Sequence, residues 1–490
     1  MFIILGVNLF TVRLLLHALG VQDLGIYNIT SAIIIFFSFF TESMASATNR
    51  YFSFELGRNN PTRLNQLFCV SFVIYCIFIF VVIFFAETIG LWFLNTYINI
   101  PIRRIYAANW CYQFSIFALC FSVISIPYRS IIISNEHISA YAFIGVADAF
   151  AKAIIVFFVF IAPWDKLIFY GFLILVETAI ISGAYALIAR RKYEASKLSL
   201  YFDFNMFKEM LNYTGWNTFV FLSGVVTEQG VNILLNMFFG PIVNASRGIA
   251  NQVNSALQNL VNSIFISVRP IITKLYASNH IKRMMRLVFS SSKVSYYLIL
   301  FFILPLLFEL PYVFFIWLTE IPEYLIIFTR LLLINTLINA LRYPLFAAVQ
   351  ATGEIKKFQI VLGITELLNL PISFIILKLG YSPSSTFVVS IIVSIVCQIE
   401  RISLINKVLA FPLKEYIRKV IIPLIYVTGL SVIAPLILSF LLHDGFFRLV
   451  CVFIMSFLFT GTIIIFIGLN RTERFNLFKL LKSINHQKFS

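Results

Sequence analysis

About fourteen runs of roughly 20 mainly apolar residues succeed one another along this chain. They cover 1–19, 25–49, 67–94, 104–125, 141–162, 167–189, 213–238, 248–270, 288–316, 325–350, 359–379, 386–405, 421–441 and 447–468. Runs of that length suit helices that cross a bilayer. Within hydrocarbon, a backbone satisfies its own polar groups only in a helix or a closed barrel. The expected fold is therefore an all-α polytopic membrane protein. Composition agrees: 60% of the residues are hydrophobic and only 12% charged, where soluble domains carry roughly 25% charged. The net charge of +16 is then a matter of topology. No nucleic-acid-binding motif accompanies it, and no nucleic acid is expected as a partner.

Basic residues crowd into alternate loops, among them Arg58 and Arg63, Arg190 to Lys192, Arg283 and Arg286, Lys356 and Lys357, Lys414, Arg418 and Lys419. The opposite loops hold little beyond Arg103, Arg104, Lys166, Arg247 and Arg448. The positive-inside rule makes the rich set cytoplasmic and puts both termini inside. No extramembrane stretch is long enough for a folded domain; the longest, 190–212, is a basic linker. The first run begins at Met1 with no flanking basic residues, which suggests a shortened start. All six Cys sit in apolar runs without a C-x-x-C pair and read as small apolar fillers. The five His are scattered singly, so neither a metal nor a cofactor is expected.

Several short patterns recur at nearly constant offset. Asn135-Glu136 followed by Gly145 and Asp148 is echoed by Gly353-Glu354 followed by Gly363 and Glu366, and each is preceded by a proline, Pro127 or Pro344. Gly6-Val7-Asn8 is echoed by Gly230-Val231-Asn232, and Arg50 by Arg269. Six apolar runs separate corresponding elements, an even number, so both copies share one orientation. The pattern predicts two six-helix lobes in a pseudo-two-fold parallel repeat around a central cleft, plus two C-terminal helices. The boundaries are 1–189 for the N-lobe, 190–212 for the linker, 213–405 for the C-lobe, 421–468 for the last two helices and 469–490 for a basic tail.

The run at 248–270 is not apolar all round. Arg247, Asn251, Ser255, Gln258, Asn262 and Arg269 recur at helical steps, while Ile249, Val253, Ala256, Leu260, Ile264 and Val268 form an opposite, lipid-like face. Similar polar stripes are Ser38, Glu42, Ser46 and Asn49; Glu228, Asn232 and Asn236; and Asn335, Asn339 and Arg342. Such groups either bond neighbouring helices or line a polar cavity. Their recurrence on four runs favours the cavity. Charges inside the apolar runs include Arg13, Asp148, Lys152, Glu177, Glu228, Lys293, Arg342 and Glu366. Asp148 and Lys152 stand four residues apart and suit a local pair. Glu366 has Leu370 where a lysine would correspond, and needs another partner or a proton. Lys293 is expected to snorkel to the cytoplasmic edge. Fixed arginines in a cavity attract an anion such as a phosphate or pyrophosphate. No nucleophile elbow, P-loop or paired-carboxylate loop is present, so an enzyme is not expected.

Three stretches, LHALGVQDLGIYNITSAI (16–33), SMASATNRYFSFELG (43–57) and GVNILLNMFFGPIVNASRGIANQVNSAL (230–257), closely resemble bacterial polysaccharide flippases. These are the O-antigen and capsule translocases of the multidrug/oligosaccharidyl-lipid/polysaccharide exporter superfamily. The resemblance implies alternating access in the inner membrane. An undecaprenyl-pyrophosphate-linked oligosaccharide would move from the cytoplasmic to the periplasmic leaflet, among membrane lipids and with a polysaccharide polymerase and chain-length proteins as partners. Arg13 corresponds to the family's intramembrane arginine in the first helix, Arg50 closes the S-A-T-x-R motif and Arg247 is the arginine within the N-A-x-R-G-I motif. On this reading Arg13, Arg247, Arg269 and Arg342 meet the pyrophosphate, Asn251, Gln258, Asn262 and Asn335 meet the sugar hydroxyls, and Arg50 is a further substrate-binding residue. Asp148, Glu228 or Glu366 binds a coupling proton or cation. One alternative is a cation-coupled drug or metabolite antiporter of the same superfamily, which would prefer an acidic cavity. Another is a polysaccharide polymerase or ligase, which the short outer loops disfavour.

Overall fold

A computed structural model describes residues 38–96, 100–199, 201–318, 321–409 and 411–471, together with 473, 474 and scattered positions between 7 and 30. Arg13, most of the first expected helix and most of the tail lie outside the described residues. Among the described residues all regular structure is helical. In order the rods are α1 (Ser38–Gly57), α2 (Pro61–Thr96), α3 (Ile105–Ser134), α4 (Ile138–Ile161), α5 (Lys166–Lys192), α6 (Phe204–Phe239) and α7 (Pro241–Ala277). There follow α8 (Ile281–Trp317), α9 (Leu325–Thr352), α10 (Lys356–Lys378), α11 (Ser385–Leu409), α12 (Leu413–Leu441) and α13 (Phe446–Gly468). Among the described residues, 11 of these helices are long and apolar enough to cross a membrane. The chain is a multi-pass membrane protein. α7, at 37 residues one of the longest rods, is not among the 11: its amides lower its apolarity.

Local chemistry sets the helix starts. Asn60 accepts the Arg63 backbone N–H ahead of Pro61, and Asp165 accepts those of Leu167 and Ile168 at the head of α5. Asp203 does the same for Asn205 and Met206 before α6. Such caps satisfy N–H groups that the first turn leaves unpaired. α7 opens on Gly240 at φ +80°, followed by Pro241 at its first position.

The chain forms two compact units, Met1–Leu222 and Ser223–Ser490, divided within α6. The turns of each carry the repeat. Left-handed residues stand at Gly20 and Gly240, at Asn59 and Asn279, and at Glu136 and Gly353, each pair about 220 residues apart. Pro127 and Pro344 lie inside the helices that lead into the third pair. The same turn chemistry at a constant offset is what a duplicated six-helix element requires.

In the first unit, Ser43, Met44, Ala45, Ser46, Ala47 and Thr48 are all buried. Small residues let α1 approach its neighbours closely. Ser53 donates to Ser134 (3.1 Å), and Ser134 to the Asn49 carbonyl (3.3 Å), joining α1 to α3. The second unit has one large apolar core in which Ala250, Leu257 and Val261 of α7 meet Ile299 and Ile303 of α8 and Leu333 and Ala340 of α9. All six cysteines are free thiols.

Candidate functional site

In the second unit α7 presents unequal faces. Ala250, Asn254, Leu257 and Val261 form its buried row. Gly248, Gln252, Ser255 and Asn259 are exposed, and Asn251, Gln258 and Asn262 lie half-buried beside them. The exposed strip of this membrane-length helix is therefore polar, which hydrocarbon would solvate poorly. The apolar row expected to face lipid is packed instead: Leu260 is buried and the other five are half-buried. The reason is register, since the fully buried row lies a fraction of a turn round from the one the apolar side chains suggest. Among the described residues Asn251, Gln258 and Asn262 hold no hydrogen bond. Asn254 of the buried row accepts from Thr336 of α9. No Asp or Glu occurs in 241–277; Arg247, Arg269 and Lys274 are its charges.

Arg247 is 8% exposed. One of its terminal nitrogens donates to the Glu228 carbonyl (3.1 Å), and its guanidinium lies 5.7 Å from the Phe387 ring centre. The other terminal nitrogen is buried without a partner among the described residues. An arginine buried with an unused donor is costly, and anion binding would offset that cost. Arg269 lies over Phe265 at 5.8 Å. The side chain of Glu228 is exposed.

Arg342 and Glu366, expected to serve different roles, form one ion pair at 3.2 Å between α9 and α10. This supplies the partner that Glu366 lacks on its own helix. On α9 the stripe serves packing in part: Asn339 donates to the Asn335 side chain (3.2 Å) and to Ser394 of α11 (3.2 Å). Lys293 does not snorkel. It is 1% exposed and pairs with Glu473 beyond the end of α13, so the counter-charge comes to it. The sequence reading also missed Arg401, which is 4% exposed and donates to Gln398 one turn earlier (2.6 Å). It passed over Glu400, which accepts from Thr365 of α10 (2.9 Å). An Arg and a Glu in one apolar run were the available signal.

The first unit holds Arg50 and Asp148. Arg50, 7% exposed, has its guanidinium over the rings of Tyr51 (4.7 Å), Phe54 (5.0 Å) and Tyr213 (5.4 Å). Such a cage stabilises a cation through the ring quadrupoles. Asp148 pairs with Lys152 at 2.9 Å, and the buried Glu177 of α5 interacts with both.

The MatE family model matches residues 1–159. No curated protein matches the chain. Among solved structures the chain is similar to an outward-facing multidrug resistance MATE family transporter of the MOP superfamily, with 13% identity and a TM-score of 0.72 over 84% of this chain and 94% of that one. The fold is that of the MATE transporters. A MOP superfamily transporter from Pyrococcus furiosus, whose binding pocket is described as having reverse polarity suggesting a different function, gives 12% identity and a TM-score of 0.71 over 84% and 94%. The MATE transporter ClbM in complex with Rb+ gives 11% and 0.67, also over 84% and 94%. At these identities the MATE likeness establishes architecture, and the solute must be argued from side chains.

Proposed function

We propose that this chain is a membrane transporter of an amphiphilic anion, a saccharide carried on a polyprenyl pyrophosphate. It would move from the cytoplasmic to the periplasmic leaflet of the bacterial inner membrane by alternating access. One observation carries the reading: the exposed face of α7 is a polar strip, and the helix holds the buried Arg247 and the half-buried Arg269 but no carboxylate. Its amides suit hydroxyl-rich sugars, and Arg247 suits a phosphate. Movement requires that the solute bind the two access states differently. The test is complementation of a strain lacking its own flippase. The chain should restore surface polysaccharide, and Arg247→Ala should abolish this at unchanged protein level. Full activity of Arg247→Ala would sink the anion site.

A second reading is a cation-coupled drug or metabolite antiporter. The comparisons favour it over the first, because the similar structures include a multidrug resistance transporter and one bound to Rb+. It calls for carboxylates to hold a coupling ion, for which Asp148, Glu228 and Glu366 are the candidates. On that reading overexpression raises resistance to cationic drugs, Glu228→Gln removes the resistance, and surface polysaccharide is unaffected.

A further inference from the structure

We propose that an apolar groove bounded by α1, α2 and α6 in the first unit holds the polyprenyl chain of the substrate. The inference rests on the lipid-linked reading above. The groove has a volume of about 300 Å³ and is lined by Phe40, Met44, Ile74, Phe78, Leu211 and Gly215, among others.

Four observations select the occupant. First, no charged residue lines the groove, and most of its polar atoms are already engaged. Ser43 donates to the Thr214 carbonyl (2.9 Å), and the Thr218 hydroxyl lies 2.9 Å from both Ser43 and that carbonyl. The wall is otherwise apolar but for the Thr214 hydroxyl, too little for a polar ligand. Second, the rim residue Ile77 is 49% exposed on α2, whose most apolar stretch has a mean hydropathy of 3.1. The phase that meets the rim there is hydrocarbon. Third, a Cβ added at Gly215 would meet nothing within 4 Å, so the groove is open at its wall. Fourth, a cationic anchor stands beside it. Arg50 lies over the ring of Tyr213, the residue before wall residue Thr214. It stands six residues from Met44 on α1, about 9 Å along the axis. A pyrophosphate held at Arg50 would place its chain at the mouth of the groove, and its extra negative charge favours it there over the phosphodiester of a bulk phospholipid.

The experiment uses the full chain in nanodiscs and a polyprenyl phosphate with a diazirine midway along its chain. Crosslinks should fall on peptides carrying Met44, Ile74 or Phe78, and excess unlabelled undecaprenyl phosphate should compete them away. Gly215→Phe, whose ring would fill the groove, should cut this labelling at least fivefold, while Gly215→Ala leaves it unchanged. If Gly215→Phe fails to fold by size-exclusion profile, Ile77→Trp at the rim serves in its place. Competed labelling elsewhere overturns the groove and leaves the lipid-linked reading standing. Groove labelling equal to that of a diazirine phospholipid, and not competed, means bulk lipid and also overturns it. Absence of any competed labelling, together with failed complementation, overturns the lipid-linked reading itself.

Discussion

Asp148 and Glu366 occupy corresponding places in the two units, about 218 residues apart, yet each is neutralised differently. Asp148 pairs with Lys152 on its own helix, with side chains 32% and 40% exposed. Glu366 has Leu370 at that position and takes Arg342 from α9 instead. The ends away from the basic loops show the same contrast. In the first unit Arg104 sits between Asp23 and Asp165, all three partly exposed. In the second Arg448 sits between Asp444 and Glu309, and the Glu309 side chain is 0% exposed. Lys293 with Glu473 is a further pair in the second unit with a buried member. Solvated or local pairs contribute little, whereas a pair with a buried member is costly to break from one side. Among the described residues the second unit holds two such pairs, at Lys293 and Glu309, against one in the first, between the buried Glu55 and the exposed Arg63, so its helix arrangement depends more on its charges.

The largest effect expected from this contrast is at Lys293. Glu473→Gln leaves an ammonium 1% exposed without a counter-charge, and the loss should be about 3–5 kcal/mol. Lys293→Met should cost much less, because Glu473 is 21% exposed and can turn to water. The double variant should recover most of the loss. Thermal unfolding in detergent reads all three, and equal losses in the two single variants would remove the buried-pair account.

A smaller effect, on transport rather than stability, separates two roles for Arg342. If the arginine only balances Glu366, Arg342→Ala is rescued by adding Glu366→Gln. If it also meets an anionic solute, transport stays at least tenfold down in the double variant (about 1.4 kcal/mol in the relevant equilibrium), while the unfolding midpoint returns. Flux in proteoliposomes, measured beside the midpoint, decides between them.

How much of this was legible in the sequence depends on range. The helices were readable because each apolar run states its own length, and the prolines inside them, Pro127 and Pro344, mark themselves. The polar character of α7 was readable from period alone. Its orientation was not, because Gln252 and Asn259 lie on the exposed row, and a helical wheel cannot say which polar edge a neighbour covers. Pairs within one helix, such as Asp148 with Lys152, follow from spacing. Those of Arg342 with Glu366 and Lys293 with Glu473 depend on which helices pack together, which no local pattern encodes.

Glycines of α6 extend the comparison along one rod. At Gly230 a Cβ would stand 2.4 Å from Leu370 Cδ2 and 3.2 Å from its Cγ. Gly230→Ala must displace that leucine, at about 1 kcal/mol, the low end for overpacking, since a leucine end can rotate. At Gly215, where nothing lies within 4 Å, alanine should be neutral or stabilising by up to ~1 kcal/mol through helix propensity. The same propensity gain applies at Gly230, so the expected result is a Gly230→Ala variant about 1 kcal/mol less stable than Gly215→Ala.

The smallest effect belongs to the pair that opened the contrast. Lys152→Ala removes a half-exposed partner one turn from Asp148, and pairs of that kind are worth about 0.3–0.5 kcal/mol. The unfolding midpoint should barely move, and transport should stay within twofold. A loss comparable to that of Arg342→Ala would mean that Lys152 acts beyond its own helix. The buried Glu177, which interacts with both Asp148 and Lys152, is the group through which it would do so. Glu177→Gln in the Lys152→Ala background would then restore transport if the fault is an uncompensated carboxylate, and leave it low if the lysine itself meets the solute.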